Sequence, residues 1–175
     1  MMHKDAANNI DWEKLARNIG SICNDCSEHS ATSLACQAIE MIMGFDVWRS
    51  AVDHYISHKP GYELARSILW HIHPLSGMER CYELYNNSDD IDTRRSAVEL
   101  LRVVADGRVL PWIPRFLTDS DDSIQLWGAG IVDQLLWSNL LEFDECEDVL
   151  ELMAEHPNDQ VREKYFSIQS CLGFE

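Results

Sequence analysis

The sequence predicts an all-α fold: an α-solenoid of about five stacked helix pairs running through a single domain, residues 1–175. Three observations predict it. Apolar residues recur at spacings of three and four nearly everywhere. No period-two run of strand length interrupts them. The segment Y-N-N-S-D-D at 85–90 returns as L-T-D-S-D-D at 117–122, and apolar helical patterns flank both copies in register.

The elements follow in order. Ile10, Leu15, Ile19 and Ile22 mark a first helix. Leu34, Ala38, Ile39, Ile42 and Met43 mark a second, stopped by Gly44. Val47, Trp48, Ala51, Val52, Tyr55 and Ile56 mark a third, ended by Pro60-Gly61, and Leu64, Ala65, Ile68, Leu69 and Ile72 a fourth, ended by Pro74. From here a shift of 32 residues superposes the chain on itself. Ala65 meets Ala97, Leu69 meets Leu101 and Ile72 meets Val104; after the next break Cys81 meets Ile113, Leu84 meets Phe116 and Tyr85 meets Leu117. A further 32 brings Ala97 to Ala129, whereas Leu101 needs a shift of 31 to meet Val132, which a one-residue slip in the connecting turn explains. A last unit starts at Asn158-Asp159-Gln160-Val161-Arg162 after a short insertion. The Ser-Asp-Asp segments fall between units, where their oxygens accept hydrogen bonds from the free N–H groups of the next helix. The N-terminal stretch 1–60 keeps the helical period but departs from the repeat, which is recognisable over 61–172.

The run V-L-P-W-I-P-R-F-L-T-D-S-D-D-S-I-Q-L-W-G-A at 109–129 resembles HEAT-like repeats, in which a helix of the form L-P-x-L-x-x-x-L runs into D-x-D and then into an apolar-Arg-x-x-Ala helix. Leu110-Pro111, Ile113, Leu117, Asp119 and Asp121 match. Val161-Arg162 matches the apolar-Arg pair, Thr93-Arg94 and Ala97 match in part, and Ile124-Gln125 replaces the Arg. The resemblance implies a right-handed superhelix whose inner face comes from about 77–86, 108–117 and 143–155. Pro111 fits a first helical turn. Pro114 has to lie within or near that turn, because deeper in a helix it would kink it.

Charge narrows the function. The formal net charge is −16, and it is uneven: residues 1–117 carry 16 acids and 12 bases, residues 118–175 carry 14 acids and two bases, Arg162 and Lys164. A chain with no basic footprint is not expected to hold nucleic acid or an anionic membrane surface. It suits a basic protein partner. M-M-H-K-D-A-A-N-N at the start has no apolar core, so no signal peptide is expected. Of six cysteines, Cys36, Cys81, Cys146 and Cys171 lie in apolar helical patterns, as small buried thiols do in reducing compartments, and a cytoplasmic location is expected.

Three stretches are candidate sites. Cys23-x-x-Cys26-x-x-His29, with Cys36 seven residues on, has the ligand types of tetrahedral zinc but no second knuckle; it reads as a helix end plus loop, and no metal or other cofactor is expected, a metal-binding protein built on these four residues being an alternative reading of the chain. His54 and His58 at i, i+4, and His71 and His73 two apart, read as boundary or surface histidines. The acidic stretch 142–155 buries Cys146, Val149, Leu150 and Met153 on one helical stripe and turns Asp144, Glu145, Glu147, Asp148, Glu151 and Glu155 outward. These six acids, with Asp119, Asp121 and Asp122 of the turn, form the expected partner-binding surface. Most tryptophans are expected in the core; Trp112, beside Pro111, is the candidate hot spot on the inner face. No phosphate-binding glycine loop, nucleophile elbow or nucleotide fingerprint occurs, so no catalysis is expected.

Small acidic helical-repeat proteins of this size resemble bacterial immunity proteins, those of contact-dependent growth inhibition among them, which neutralise nuclease toxins. The likeness is one of type, without a shared motif. It implies a chain that is monomeric until it binds a basic toxin domain; a general assembly adaptor is the other reading of the same surface.

Overall fold

The computed structural model describes residues 10–25 and 27–172, and within them the chain is all-helical, with no β-strand. Its ten α-helices are α1 (Trp12–Asn18), α2 (Thr32–Met43), α3 (Phe45–Ile56), α4 (Tyr62–Ile72), α5 (Leu75–Asn87), α6 (Ile91–Val104), α7 (Ile113–Leu117), α8 (Asp122–Trp137), α9 (Glu147–Ala154) and α10 (Asp159–Leu172). Short 3-10 helices, Gly107–Trp112 and Phe143–Cys146, lead into α7 and α9. No helix among the described residues is long and apolar enough to cross a membrane.

The helices pack in two rows. One holds α3, α5, α7 and α9; the other holds α4, α6, α8 and α10, and each helix also touches its chain neighbour in the opposite row. The apolar positions that coincide under the sequence shift are the ones between the rows: Leu69, Leu101 and Val132 are fully buried, as are Ala97 and Ala129, with Cys81 and Ile113 opposite them. Burying a leucine-sized side chain contributes about 2 kcal/mol, so this shared stripe is the main source of stability. Close approach at α7–α8 depends on Gly128: a Cβ there would stand 2.7 Å from the Phe116 Cβ.

Three inter-helix turns use the same hydrogen-bonding device. Asp90 and Asp121 cap α6 and α8, and Asn158 precedes α10 and accepts from the Gln160 N–H. Two residues before each, a side chain accepts the N–H of the capping residue: Ser88 Oγ at 3.2 Å, Asp119 Oδ1 at 2.9 Å, His156 Nδ1 at 3.1 Å. Four residues after each, a long side chain reaches back to a carbonyl: Arg94 to Tyr85, Gln125 to Asp119, Arg162 to His156 and Pro157. Asp90 and Asp121 are 31 residues apart, so the two Ser-Asp-Asp triplets are not equivalent. The one-residue slip already falls before the α8 cap, and Asp119 takes the place of Ser88.

Several expectations need correction. The first helix ends at Asn18, because the chain turns left-handed at Gly20, and Ile19 and Ile22 lie beyond it. The proline-containing segment is split: Pro111 lies inside the 3-10 helix and Pro114 in the first turn of α7, where its missing N–H costs nothing. Three of the six tryptophans face out: Trp12 is 64% exposed, Trp70 50% and Trp137 78%. His58 and His73 both have positive φ beyond the ends of α3 and α4. His54 and His58 therefore do not share a helix face, while His71 and His73 line one recess.

Candidate functional site

The acidic stretch begins with a capping box. Glu142 caps the second 3-10 helix, and its N–H donates to Glu145 Oε2 at 2.8 Å. The chain then enters α9 with Cys146, Val149, Leu150 and Met153 buried, as the spacing requires. Asp144, Glu145, Glu147, Asp148, Glu151 and Glu155 are all exposed, and none of them forms an ion pair with a described Lys or Arg. Glu147 and Asp148 sit in the first turn, where the helix dipole favours negative charge; Glu151 and Glu155 stand toward the C-terminal end, where it opposes them. Helix energetics account for the first two acids and not for the last two.

Asp148, Glu151 and Glu155 border an open groove of about 1040 Å³ between α7, α9 and α10. Pro114 and Leu117 come from the α7 side, Leu152 from α9 and Tyr165 from α10; no Lys or Arg lines it. Leu152 is 49% exposed. Below the groove His156 is buried. Its Nδ1 accepts from Asn158, so its Nε2–H donates, at 2.7 Å, to the Leu117 carbonyl. The arrangement offers an apolar floor with three solvated carboxylates along one edge. It suits the aliphatic stems and cationic heads of Lys and Arg side chains.

The remaining predicted residues are placed otherwise. Asp119 is turned inward, its side chain 5% exposed; it accepts from Arg94 Nη2 at 2.5 Å and from the Tyr85 hydroxyl at 2.9 Å. Asp121 accepts from the backbone of Ser123 and Ile124 and pairs with Arg95 at 2.6 Å, which together hold its carboxyl below the usual carboxylate range. Both acids hold helices together and are withdrawn from the outer surface. Asp122 remains exposed in the first turn of α8. Trp112 is half-buried and stacks on Tyr82 at 4.5 Å and 14°, so its ring joins α5 to the segment before α7 instead of standing free.

Residues 22 and 28 form one antiparallel bridge, and the Cys23 N–H donates to the Ser27 carbonyl. Cys36 directs its thiol toward the His71 carbonyl at 3.7 Å. Among the described residues no three His, Cys, Asp or Glu side chains are grouped to hold a metal; Cys26 lies outside them.

Comparison with protein-family models, with curated proteins and with solved structures finds no match to this chain. The groove residues missed by sequence reasoning are Leu152, Pro114 and Tyr165. Leu152 carried a signal, being a leucine off the buried stripe of α9. Tyr165 carried none, since only packing brings α10 beside α9.

Proposed function

We propose that this chain is a non-catalytic α-solenoid whose groove beside α9 binds a basic protein, the best-fitting class being a nuclease-type toxin domain that the chain neutralises as an immunity protein. The two rows of helices and the three turns built alike support the solenoid reading. One observation carries the binding reading: Asp148, Glu151 and Glu155, in no ion pair with a described Lys or Arg and partly against the helix dipole, line a groove together with an exposed leucine and no basic side chain. Nucleases hold phosphate with basic surfaces, so an acidic inhibitor competes for the same ground and is drawn to it at long range.

The test is affinity capture from cells encoding the chain, followed by kinetics with the captured basic domain. Association should slow at least tenfold on raising salt from about 50 to 500 mM, and the combined Asp148→Lys, Glu151→Lys and Glu155→Lys variant should associate at least tenfold more slowly than the parent chain at low salt. Kinetics unchanged in that variant, or capture of acidic proteins only, would overturn the reading.

A further inference from the structure

The acidic end of the molecule has an opposite. Most of the large exposed apolar side chains lie between residues 12 and 70, far from the acidic C-terminal part in sequence, and they crowd the corner where α2 meets α3. Ile39, Met41, Ile42 and Met43 are exposed on α2, and Phe45 and Val47 at the start of α3. α2 has one charged residue, Glu40, and it is buried: its carboxylate accepts from Leu75 N–H at 3.0 Å, Ser76 N–H at 2.8 Å and Ser76 Oγ at 2.5 Å. The solvent-facing surface of this twelve-residue helix therefore carries no charge, in a chain that is 25% charged. A helix apolar on its outer faces is one that another surface covers. The turn into α3 keeps the six side chains together, because Gly44, at φ 84°, is the single residue between the two helices.

We infer that this corner is a self-association surface, and that its occupant is the same corner of a second copy of the chain. Charge decides the occupant. A cationic partner finds no carboxylate on α2 to pair with, so the surface is not an extension of the acidic groove. The exposed side of α2, which carries no charge, can meet its own copy across a twofold axis without like-charge repulsion. α9, which carries the unpaired acids, packs on α7 and α10, whereas α2 packs on α3 and α4. The charges nearest the patch are Asp46, exposed between Phe45 and Val47, and Arg49, Glu79 and Arg108, which line a recess with Met41 and Phe45. Six half-exposed side chains of this size offer on the order of 500 Å² per copy, so the pair buries on the order of 1,000 Å², the lower bound for a specific contact.

Sedimentation equilibrium tests the inference. The chain, 20.1 kDa, should sediment as a dimer at about 100 µM and dissociate in the micromolar range. Its affinity should hold or rise between about 50 and 500 mM salt, since burial of apolar surface is not screened. Ile42→Glu and Met43→Glu, each at a site already open to solvent, should weaken the dimer about 100-fold or more while far-UV circular dichroism and Tm stay as in the parent chain. Trp137→Glu, at an exposed apolar residue elsewhere, should leave it intact. A parent chain that is monomeric at about 100 µM overturns the inference and leaves the corner to a different protein; so does a dimer equally strong in both α2 variants, or one lost in Trp137→Glu.

Discussion

Arg94 of α6 and Asp119 of the turn before α8 meet at 2.5 Å, and the Tyr85 hydroxyl joins the same carboxylate oxygen at 2.9 Å. Asp119 thus ties three segments while its other oxygen accepts the N–H of Asp121. Removing one partner of a buried pair leaves the other uncompensated, so Asp119→Ala should cost about 3 kcal/mol. Urea unfolding checks this: the midpoint should fall with the m-value unchanged. Asp122→Ala, at an exposed first-turn acid, should cost no more than about 0.5 kcal/mol.

Asp121 sets an acid-side limit. Arg95 and the α8 N-terminus hold its carboxyl below the ordinary value of 3.8. Because the folded value lies below the unfolded one, its contribution is complete above 3.8 and is lost as pH falls through the folded value. Asp121→Asn should therefore be less stable than the parent chain at neutral pH by about 1 kcal/mol, chiefly the lost cap charge and ion pair. The gap should close in urea titrations run well below pH 3.8. A gap of the same size there would remove Asp121 from the acid response.

The two α8 glycines should respond differently to the same substitution. A Cβ at residue 128 meets the Phe116 Cβ at 2.7 Å, where neither helix can give; Gly128→Ala should cost about 2 kcal/mol. At residue 130 the obstacle is the Arg102 Cδ at 2.8 Å, the middle of a flexible side chain, and the gain in helix propensity of up to about 1 kcal/mol works the other way. Gly130→Ala should be near neutral, with thermal unfolding of the pair as the readout.

Thiol reactivity should separate the described cysteines into two classes. Burial pushes the Cys81 thiol well up and raises Cys146 to about 11. Both should stay unmodified by a disulfide reagent at about pH 8 until the chain unfolds, whereas Cys23 and Cys36, only partly buried, should react in the folded protein.

What the sequence disclosed was whatever depends on neighbours along the chain. The apolar stripe of α9 and the stop at Gly44 follow from local spacing and one residue's backbone freedom, and Asp90 and Asp121 announce themselves as caps. What it withheld depends on which helix lands beside which. Asp119 looks like any turn acid until Arg94, 25 residues earlier, is brought against it. Tyr165 enters the groove only because α10 folds back beside α9. Trp12, Trp70 and Trp137 fit the helical period, but the period does not say that nothing covers them.

Glu40 is the sole buried residue of α2, and it fastens that helix to the first turn of α5. A segment with so little of its length buried can cast off while the remainder stays afloat: amides of α1 and α2 should exchange with solvent through a local opening far cheaper than global unfolding. Glu40→Gln should hasten exchange there and leave the amides of α6 and α8 at their original pace.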